Sequence, residues 1–202
     1  MRLLAIETSS EACSVALFDD GAPIAHDHRV LGRGHAEQLV PMIAALPDRG
    51  RAEAIRVGLG PGSFTGVRIG IATARALAFA WNAQIAGFPT FALMAARVVS
   101  ESPSDVTVCM NGGHGEWFVQ HFDAWARPTS ELQSLRPEDA MARPVGAQVV
   151  GNRAAELMRR AGTGHALLPD ARDALLLDET HLTARLAPIY GREPDAKSGG
   201  AR

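Results

Sequence analysis

A glycine-dense turn in this chain reads Gly60-Pro-Gly-Ser-Phe-Thr-Gly-Val-Arg-Ile-Gly70. It follows a short apolar run, 54–59, that is typical of a strand, and it precedes the stretch 67–81, whose apolar residues recur at helical spacing. Glycine adopts positive φ freely and lets a ligand or a second chain approach the backbone. Because a strand that enters a helix through such a turn points free amide groups beyond the helix N-terminus, the pattern fits an anion site and a tight packing turn equally.

The turn lacks the residues of two well-known phosphate-binding motifs. Gly66 is followed by Val-Arg rather than by lysine and a hydroxyl residue, and the only lysine of the chain, Lys197, lies in a polar tail, which excludes a P-loop. The glycine spacing, G-x-G-x-x-x-G, is also one residue longer than the dinucleotide fingerprint. Ser63 and Thr65 suit either a bound phosphate or the cap of the following helix, and we expect capping.

Composition restricts the class of protein. The 202 residues are 47% hydrophobic with a formal net charge of -2, which suits one or two small globular domains and provides no broad basic surface for nucleic acid. Cys13 and Cys109 lie in strand-like runs without metal spacing, as expected for reduced, buried thiols of a cytoplasmic protein. Glu7 and Glu11 interrupt the only early apolar run, so we expect no secretory signal, and two arginines in the stretch 67–88 argue against a membrane span.

The order of predicted elements occurs twice along the chain. The first series consists of three strands, a helix at 35–46, a strand, the glycine turn and two helices. The linker Ser100-Glu-Ser-Pro-Ser-Asp105 separates it from the second series. The second series is predicted as strands at 106–110, 116–123 and 148–151, and helices at 137–141, 152–161 and 173–186. This duplication fits the two-lobed α/β architecture of actin, Hsp70-type ATPases and sugar kinases (the ASKHA, ribonuclease H-like fold), with a reduced second lobe. We predict an N-terminal lobe at 1–99, a C-terminal lobe at 106–190 and a disordered tail at 195–202.

The residues that carry chemistry in that architecture are incomplete here. Its first strand usually ends in an aspartate that holds a metal through water, whereas this chain has Glu7, and the corresponding turn of the second lobe begins with the uncharged Asn111. His26 and His28 share one face of a strand without a third ligand, and only His114, in the turn Asn111–Gly115, has a setting that resembles a site. His-Glu-x-x-His and the nucleophile elbow are both absent, so we assign no catalytic residue and no metal ligand.

The helix after the glycine turn carries a stripe of small residues. Gly66, Gly70, Ala74 and Ala78 recur every four positions, which allows another helix or a sheet to pack closely. The helix is apolar over much of its circumference, so we expect it to be buried either within this chain or against a second one.

Two stretches resemble the TsaB (YeaZ) family. They are Leu3-Leu-Ala-Ile-Glu-Thr-Ser-Ser-Glu-Ala-Cys-Ser-Val-Ala-Leu17 and the glycine turn, and Ala187-Pro-Ile-Tyr-Gly-Arg192 is similar to the closing Pro-x-Tyr-x-Arg signature of that family. The resemblance is specific over about the first ninety residues. The chain departs from the family at Glu7, where Asp is more frequent, and at Asn111-Gly-Gly-His, where an Asp-Ala-Arg type of sequence is common.

The resemblance implies a subunit without catalytic activity of its own. TsaB proteins belong to the bacterial machinery that makes threonylcarbamoyladenosine beside the tRNA anticodon, and they pair with the catalytic subunit TsaD through N-lobe helices, while the ATPase TsaE joins the assembly. The metal-binding His-x-x-x-His of TsaD corresponds here to Thr90-Phe-Ala-Leu-Met94, which has no histidine. We therefore expect a TsaD-like and a TsaE-like partner, tRNA contact through the complex, a homodimer when the chain is alone, and no membrane.

The residues implied for these roles lie in the first lobe. The predicted partner interface consists of Leu39, Met42, Ile43, Ile71, Arg75 and Ala78. The loop predicted to face a nucleotide consists of Thr8, Ser9, Gly60, Gly62, Ser63, Thr65 and Gly66. We expect no cofactor held by this chain alone, with ATP or ADP and a metal bound mainly by the partner complex; the alternative is a nucleotide-dependent kinase or transferase that acts between its own lobes.

Overall fold

The computed structural model describes residues 1–158 and 163–192, which form two five-stranded sheets and the helices around them. The end of the helix predicted at 152–161 and the tail predicted at 195–202 lie outside the described residues.

The first half of the chain builds one mixed sheet. Its elements are β1 (Arg2–Glu7), β2 (Ala12–Asp19), β3 (Ala22–Val30), α1 (His35–Ala45), β4 (Ala54–Gly58), α2 (Phe64–Trp81), β5 (Gln84–Phe88) and α3 (Thr90–Glu101). The strand order is β3-β2-β1-β4-β5. The first three strands form an antiparallel meander, whereas β4 and β5 run parallel to β1.

The second half repeats this topology with shorter elements. They are β6 (Val106–Gly113), β7 (Glu116–Phe122), β8 (Gln133–Leu135), α4 (Pro137–Ala142), β9 (Gln148–Val150), α5 (Ala154–Met158) and β10 (Thr163–His165). The order β10-β9-β6-β7-β8 matches the first sheet when β6 takes the place of β1. Each of β8, β9 and β10 has three residues, so the second lobe is the smaller one. The predicted duplicated α/β fold with a reduced second lobe is therefore confirmed.

Burial on both faces of the first sheet explains the nearly continuous apolar runs of β1 and β2, whereas the edge strand β3 is largely exposed. In β1 every residue after Arg2 is buried, because α1 and α2 cover one face while Ala171 and Ala174 pack on the other. The first core, on the helical side, includes Leu39 of α1 and Ile71 of α2.

Helix α3 joins the two lobes. It begins in the predicted first lobe, 1–99, and ends two residues beyond it, yet Phe91 and Leu93 share a core with Val106 and Val108 of the second sheet. The turn Ala171–Leu176 packs against α3 and against the first sheet, so the lobes have an extensive shared core. The bounds 1–99 and 106–190 stay a prediction.

The helix predicted at 173–186 is wrong. The chain instead forms two short 3-10 turns, Ala171–Leu176 and Glu179–His181. The Asp178 carboxylate accepts a hydrogen bond from Thr180 N at 2.9 Å, and Thr183 exchanges backbone hydrogen bonds with Gly87 at the edge of the first sheet. Because a capping aspartate starts a new turn and sheet pairing uses the backbone groups that a helix needs, the segment cannot continue as one helix.

Candidate functional site

The two lobes enclose a cavity of about 660 Å³, which we call the inter-lobe cavity. One wall comes from the β1–β2 turn and the start of α2, and the other comes from the end of β6 and the turn after it. The segment 190–192 completes the wall. The residues that line it are Ser9, Ser10, Glu11, Gly32, Pro61, Gly62, Ser63, Phe64, Met110, Asn111, Gly112, Gly113, His114, Phe118, Tyr190, Gly191 and Arg192.

The glycine turn beside this cavity is a close-packed turn. Ser63 N donates a hydrogen bond to Ser9 O at 2.6 Å, and a Cβ atom at Gly62 would lie 2.0 Å from the same oxygen. Ser63 Oγ accepts a hydrogen bond from Gly66 N at 3.2 Å, which confirms the predicted helix cap. Gly66 in turn rests on the backbone of Thr8. Only glycine fits at these two positions, because the backbone of the β1–β2 turn fills the space that a side chain would need.

The loop predicted to face a nucleotide is divided between the cavity and the interior. Ser9, Gly62 and Ser63 line the inter-lobe cavity. Thr8, Gly60 and Gly66 are buried, and the Thr8 hydroxyl donates to Gly66 O at 2.8 Å. Thr65 is exposed. That the loop faces a nucleotide stays a prediction.

Glu7, the acidic residue at the end of the first strand, is completely buried beneath the β1–β2 turn. Its carboxylate accepts hydrogen bonds from Ser9 N at 2.7 Å and from the Thr90 hydroxyl at 2.8 Å. Burial raises the pKa of Glu7, and the hydrogen bonds from Ser9 and Thr90 oppose this shift only in part. Gly58 leaves room for the side chain, since a Cβ atom there would lie 2.1 Å from Glu7 Oε2. Glu7 therefore ties the turn to α3 and does not line the inter-lobe cavity.

A second acidic residue, Glu11, links the lobes across the cavity. Its two carboxylate oxygens accept hydrogen bonds from Asn152 Nδ2 at 3.0 and 3.2 Å. Asn152 Oδ1 accepts a hydrogen bond from Asn111 N at 2.8 Å, and Asn111 Oδ1 accepts one from Gly113 N at 3.1 Å. This series of hydrogen bonds fixes the position of the β6–β7 turn, in which His114 has a positive φ of 53°.

Aromatic side chains and an arginine form a cluster beside the cavity. The rings of Phe64 and Tyr190 stack with their centroids 5.2 Å apart, and the Arg68 guanidinium lies 3.5 Å above the centre of the Phe64 ring. Arg68 also donates two hydrogen bonds to Tyr190 Oη, at 3.0 and 3.3 Å. The cluster attaches the closing Pro-x-Tyr-x-Arg segment to the start of α2.

The predicted partner interface requires a correction, because most of its side chains are inside the molecule. Five of the six predicted residues belong to the first hydrophobic core; they are Leu39, Met42, Ile43, Ile71 and Ala78. Arg75 is exposed, and its Nη2 donates a hydrogen bond to Leu186 O at 2.9 Å. The small-residue stripe of α2 likewise faces its own sheet, since Gly66 and Gly70 pack on Thr8. Helical periodicity marks the buried stripe of a helix but cannot tell a core within one chain from a core between two chains.

A different part of the same helices is apolar and exposed. On α1, Val40 is 55% exposed, and Pro41 and Ala44 beside it are exposed. On α2, Phe79 is 93% exposed, and Ala76 one turn before it is exposed. The two helices lie side by side. We call the exposed residues Val40, Pro41, Ala44, Ala72, Ala76 and Phe79 the outer helical face.

The described residues include no group of three or more His, Cys, Asp or Glu side chains that could hold a metal ion.

Burial raises the pKa of Cys13 to about 11 and that of Cys109 to about 12, so both thiols are protonated at neutral pH. In the same part of the chain, no helix has both the length and the apolar character that crossing a membrane requires.

Comparison with known proteins identifies the family. The family model described as "TsaD: tRNA N6-adenosine threonylcarbamoyltransferase" matches residues 29–159. The solved structure described as YeaZ from Pseudomonas aeruginosa is 30% identical, and its alignment covers 94% of this chain and 99% of that chain with a TM-score of 0.78. The chain belongs to the TsaB (YeaZ) family.

Other relatives agree with the TsaB family and with its fold. The tRNA threonylcarbamoyladenosine biosynthesis protein TsaB of Escherichia coli is 44% identical over 100 residues, which are 47% of this chain and 43% of that protein. The matched region thus spans less than half the length of the curated TsaB relatives from E. coli, Haemophilus influenzae and Bacillus subtilis. The ethanolamine utilization protein EutJ from Carboxydothermus hydrogenoformans has 10% identity and a TM-score of 0.50 over 87% of this chain and 88% of that one, a likeness of fold alone.

Sequence reasoning missed the residues that join the lobes. Glu11 and Asn152 are 141 positions apart, and neither belongs to a motif that predicts their contact. The available signal is that each residue follows a strand of its own lobe, Glu11 after β1 and Asn152 after β9. Tyr190 was part of the closing signature, but its partner Arg68 was not predicted.

Proposed function

We propose that this chain is a non-catalytic subunit that binds and activates a TsaD-like transferase in forming threonylcarbamoyladenosine next to the tRNA anticodon. Membership of the TsaB family is the observation that carries this proposal. The E. coli relative is named for the biosynthesis of the same modified nucleoside, and the matching family model is named for the transferase.

The position of Glu7 supports a role without catalysis. A carboxylate that assists phosphoryl transfer through a metal must face the ligand, whereas Glu7 is buried and hydrogen-bonded to Ser9 and Thr90. Its raised pKa favours the neutral form, which is a poor ligand for a magnesium ion. Asn111, at the corresponding place of the second lobe, carries no charge and uses its side chain to hold Gly113.

The alternative function is that of a nucleotide-dependent kinase or transferase that works alone. The inter-lobe cavity favours it, because 660 Å³ is within the usual range for a small-molecule site. Two features argue against a nucleotide-dependent enzyme: Glu7 is buried, and the cavity lining includes the acidic Glu11 but no lysine to bind phosphates. Calorimetry with ATP and magnesium separates the two functions, since affinity on the order of micromolar supports an enzyme, whereas a scaffold shows no binding at about millimolar nucleotide.

The outer helical face is the surface that we assign to the TsaD-like partner. Apolar side chains as exposed as Phe79 and Val40, on adjacent helices, mark an interaction site when they form a continuous patch. When the partner is missing, the same face suits a homodimer, because a two-fold interface uses one patch twice. In this proposal a TsaE-like ATPase and tRNA bind to the complex that this chain forms with its TsaD-like partner. The partner subunits hold most of the nucleotide and metal contacts, and the complex acts in the cytoplasm.

Reconstitution tests the proposal directly. The cognate TsaD-like and TsaE-like proteins, tRNA and the threonylcarbamoyl adenylate are combined with or without this chain, and the modified nucleoside is measured. We expect product only when the chain is present, and we expect Glu7→Gln to retain activity if it folds. Full activity without the chain contradicts the activating role, and a folded Glu7→Gln variant that binds the partner but is inactive contradicts the non-catalytic role.

A further inference from the structure

The closing segment of the described chain crosses from the first core to the second lobe. Leu186 is buried in the first hydrophobic core, and Ile189 packs against that core. Gly191 lies on the ring of Phe118, because a Cβ atom at Gly191 would be 2.4 Å from Phe118 Cε1. Phe118 belongs to the core that α3 shares with the second sheet. The segment Leu186–Gly191, which we call the strap, therefore joins the two lobes beside the inter-lobe cavity.

The base of the strap is anchored inside the molecule. Ile189 N donates a hydrogen bond to Leu59 O at 2.7 Å, and Leu186 O accepts one from Arg75 Nη2 at 2.9 Å. The Ile189 carbonyl also packs on Gly60, where a Cβ atom would be 3.0 Å from its oxygen. Buried side chains and paired backbone groups oppose local opening, so we expect the base to stay docked while the protein is folded.

The tip of the strap, Tyr190 and Gly191, is next to contacts of a different kind. Tyr190 is 40% exposed, and Phe64, on which its ring stacks, is 44% exposed. The two hydrogen bonds to Tyr190 Oη come from Arg68, whose side chain is exposed as well. Water replaces a lost hydrogen bond at the surface, and cation–π contacts are weakest where the groups are solvated. Releasing Tyr190 therefore costs less free energy than releasing the base.

Gly191 determines how closely the strap covers the second lobe. The Phe118 ring is buried, and the backbone of Gly191 rests directly on it. The φ of Gly191 lies outside the left-handed region, so glycine is required here for space and not for an unusual backbone conformation. Because Phe118 lines the inter-lobe cavity, lifting the tip uncovers this ring and widens the cavity on its side.

From this difference between base and tip we propose that the strap is a lid whose tip opens and closes the Phe118 side of the inter-lobe cavity. In the closed state Tyr190 rests on Phe64, and Gly191 rests on Phe118. In the open state both contacts are lost, while Leu186 stays in the first core. A molecule that enters the cavity shifts the lid toward the state that it prefers. The strap includes no residue of the outer helical face, so this proposal does not depend on the proposed function.

Relaxation-dispersion NMR on the native chain tests whether the tip moves by itself. Tyr190 is the only tyrosine, so incorporating 15N-tyrosine labels its amide alone, and a 15N-leucine sample includes Leu186. We expect exchange on the microsecond-to-millisecond timescale at Tyr190, with an open population of about 1–10%, and a flat profile at Leu186. A flat profile at Tyr190 overturns the proposal, because the tip is then fixed. Equal exchange at Leu186 also overturns it, because the whole segment then undocks.

Two variants test the contacts that close the lid. Gly191→Ala adds a methyl group that meets the Phe118 ring, and Arg68→Gln removes the cation–π contact with Phe64. Arg51→Gln is the matched control, since Arg51 is exposed and precedes β4, whereas the strap pairs with Leu59 beyond the other end of that strand.

Exposure of the Phe118 ring is measured as the proton relaxation that a neutral gadolinium chelate in solution causes. We expect this relaxation to rise at least about twofold in Gly191→Ala, and the open population to rise about two- to fivefold in Arg68→Gln. Arg51→Gln should change neither. Unchanged Phe118 exposure in folded Gly191→Ala, or an unchanged open population in folded Arg68→Gln, overturns the proposal. If either variant does not fold, the dispersion profiles of the native chain decide.

Discussion

The Thr90 hydroxyl donates a hydrogen bond to Glu7 Oε2 at 2.8 Å, and both residues are buried. This contact connects the end of β1 with the first turn of α3, the helix that packs on the second sheet. The acidic residue at the end of the first strand thus serves the junction between the lobes, whereas in the related ATPase architecture that position serves a metal. The consequence is a stability that depends on the protonation of Glu7.

We predict that Glu7→Gln gains stability relative to the native chain as the pH rises. Burial raises the pKa of Glu7 in the folded state above the ordinary glutamate value of 4.5, so the folded protein binds a proton that the unfolded chain releases. The stabilising contribution of protonated Glu7 is complete below pH 4.5 and is lost as the pH rises toward the folded pKa, whereas glutamine does not titrate. Urea unfolding of both proteins between pH 4.5 and 8 measures this; a constant difference in the free energy of unfolding across that range would refute it.

A second prediction concerns the contact between α2 and the β1–β2 turn. A Cβ atom at Gly66 would lie 2.1 Å from Thr8 O, so Gly66→Ala must displace the helix or the turn. Alanine alone would stabilise the helix by roughly 1 kcal/mol through its higher helix propensity. We expect the steric clash to outweigh this gain, so that the free energy of unfolding falls by about 1–3 kcal/mol. Ala72→Ser, on the exposed side of α2, is the control and should change stability by less than about 0.5 kcal/mol. Equal or greater stability of Gly66→Ala would show that the contact is not close.

A third prediction concerns the closing segment of the described chain. Leu186 is buried in the first core, and its carbonyl accepts a hydrogen bond from Arg75 on α2. We expect Leu186→Ala to lower the free energy of unfolding by about 2–4 kcal/mol, because it leaves a cavity in a packed core. Leu175→Ala, at a position that is 37% exposed, is the matched control and should lower it by less than about 1 kcal/mol. Similar losses for the two variants, measured by chemical denaturation, would mean that the segment does not belong to this core.

The sequence was sufficient for the features that depend on neighbouring residues. The glycine turn, the cap at Ser63 and the repeated order of strands all follow from local patterns, and the structure has them. The predicted helix at 173–186 failed because Asp178 and Thr183 divert the chain to a new turn and to the edge of a sheet. An apolar run of helical length does not show that its backbone pairs elsewhere.

Features that depend on distant residues were beyond the sequence. The Glu11–Asn152 contact joins positions 141 residues apart. The side of α2 that faces solvent was also hidden, because the helix is apolar over much of its surface, and Ile71 and Phe79 look alike in the pattern although only Ile71 is buried. Because Ile71 is buried and Phe79 is exposed, we expect the partner to contact Phe79 rather than Ile71.

Binding to the cognate TsaD-like protein, measured by calorimetry and co-elution, decides whether the outer helical face is the partner surface. Phe79→Asp and Val40→Asp place charges on the outer helical face, and Trp125→Asp, at a position in the second lobe that is 71% exposed, is the matched control. We expect the native chain and Trp125→Asp to bind alike, and each of the other two variants to bind at least about tenfold more weakly while remaining folded. A Phe79→Asp, Val40→Asp double variant that binds the partner as tightly as the native chain would contradict it.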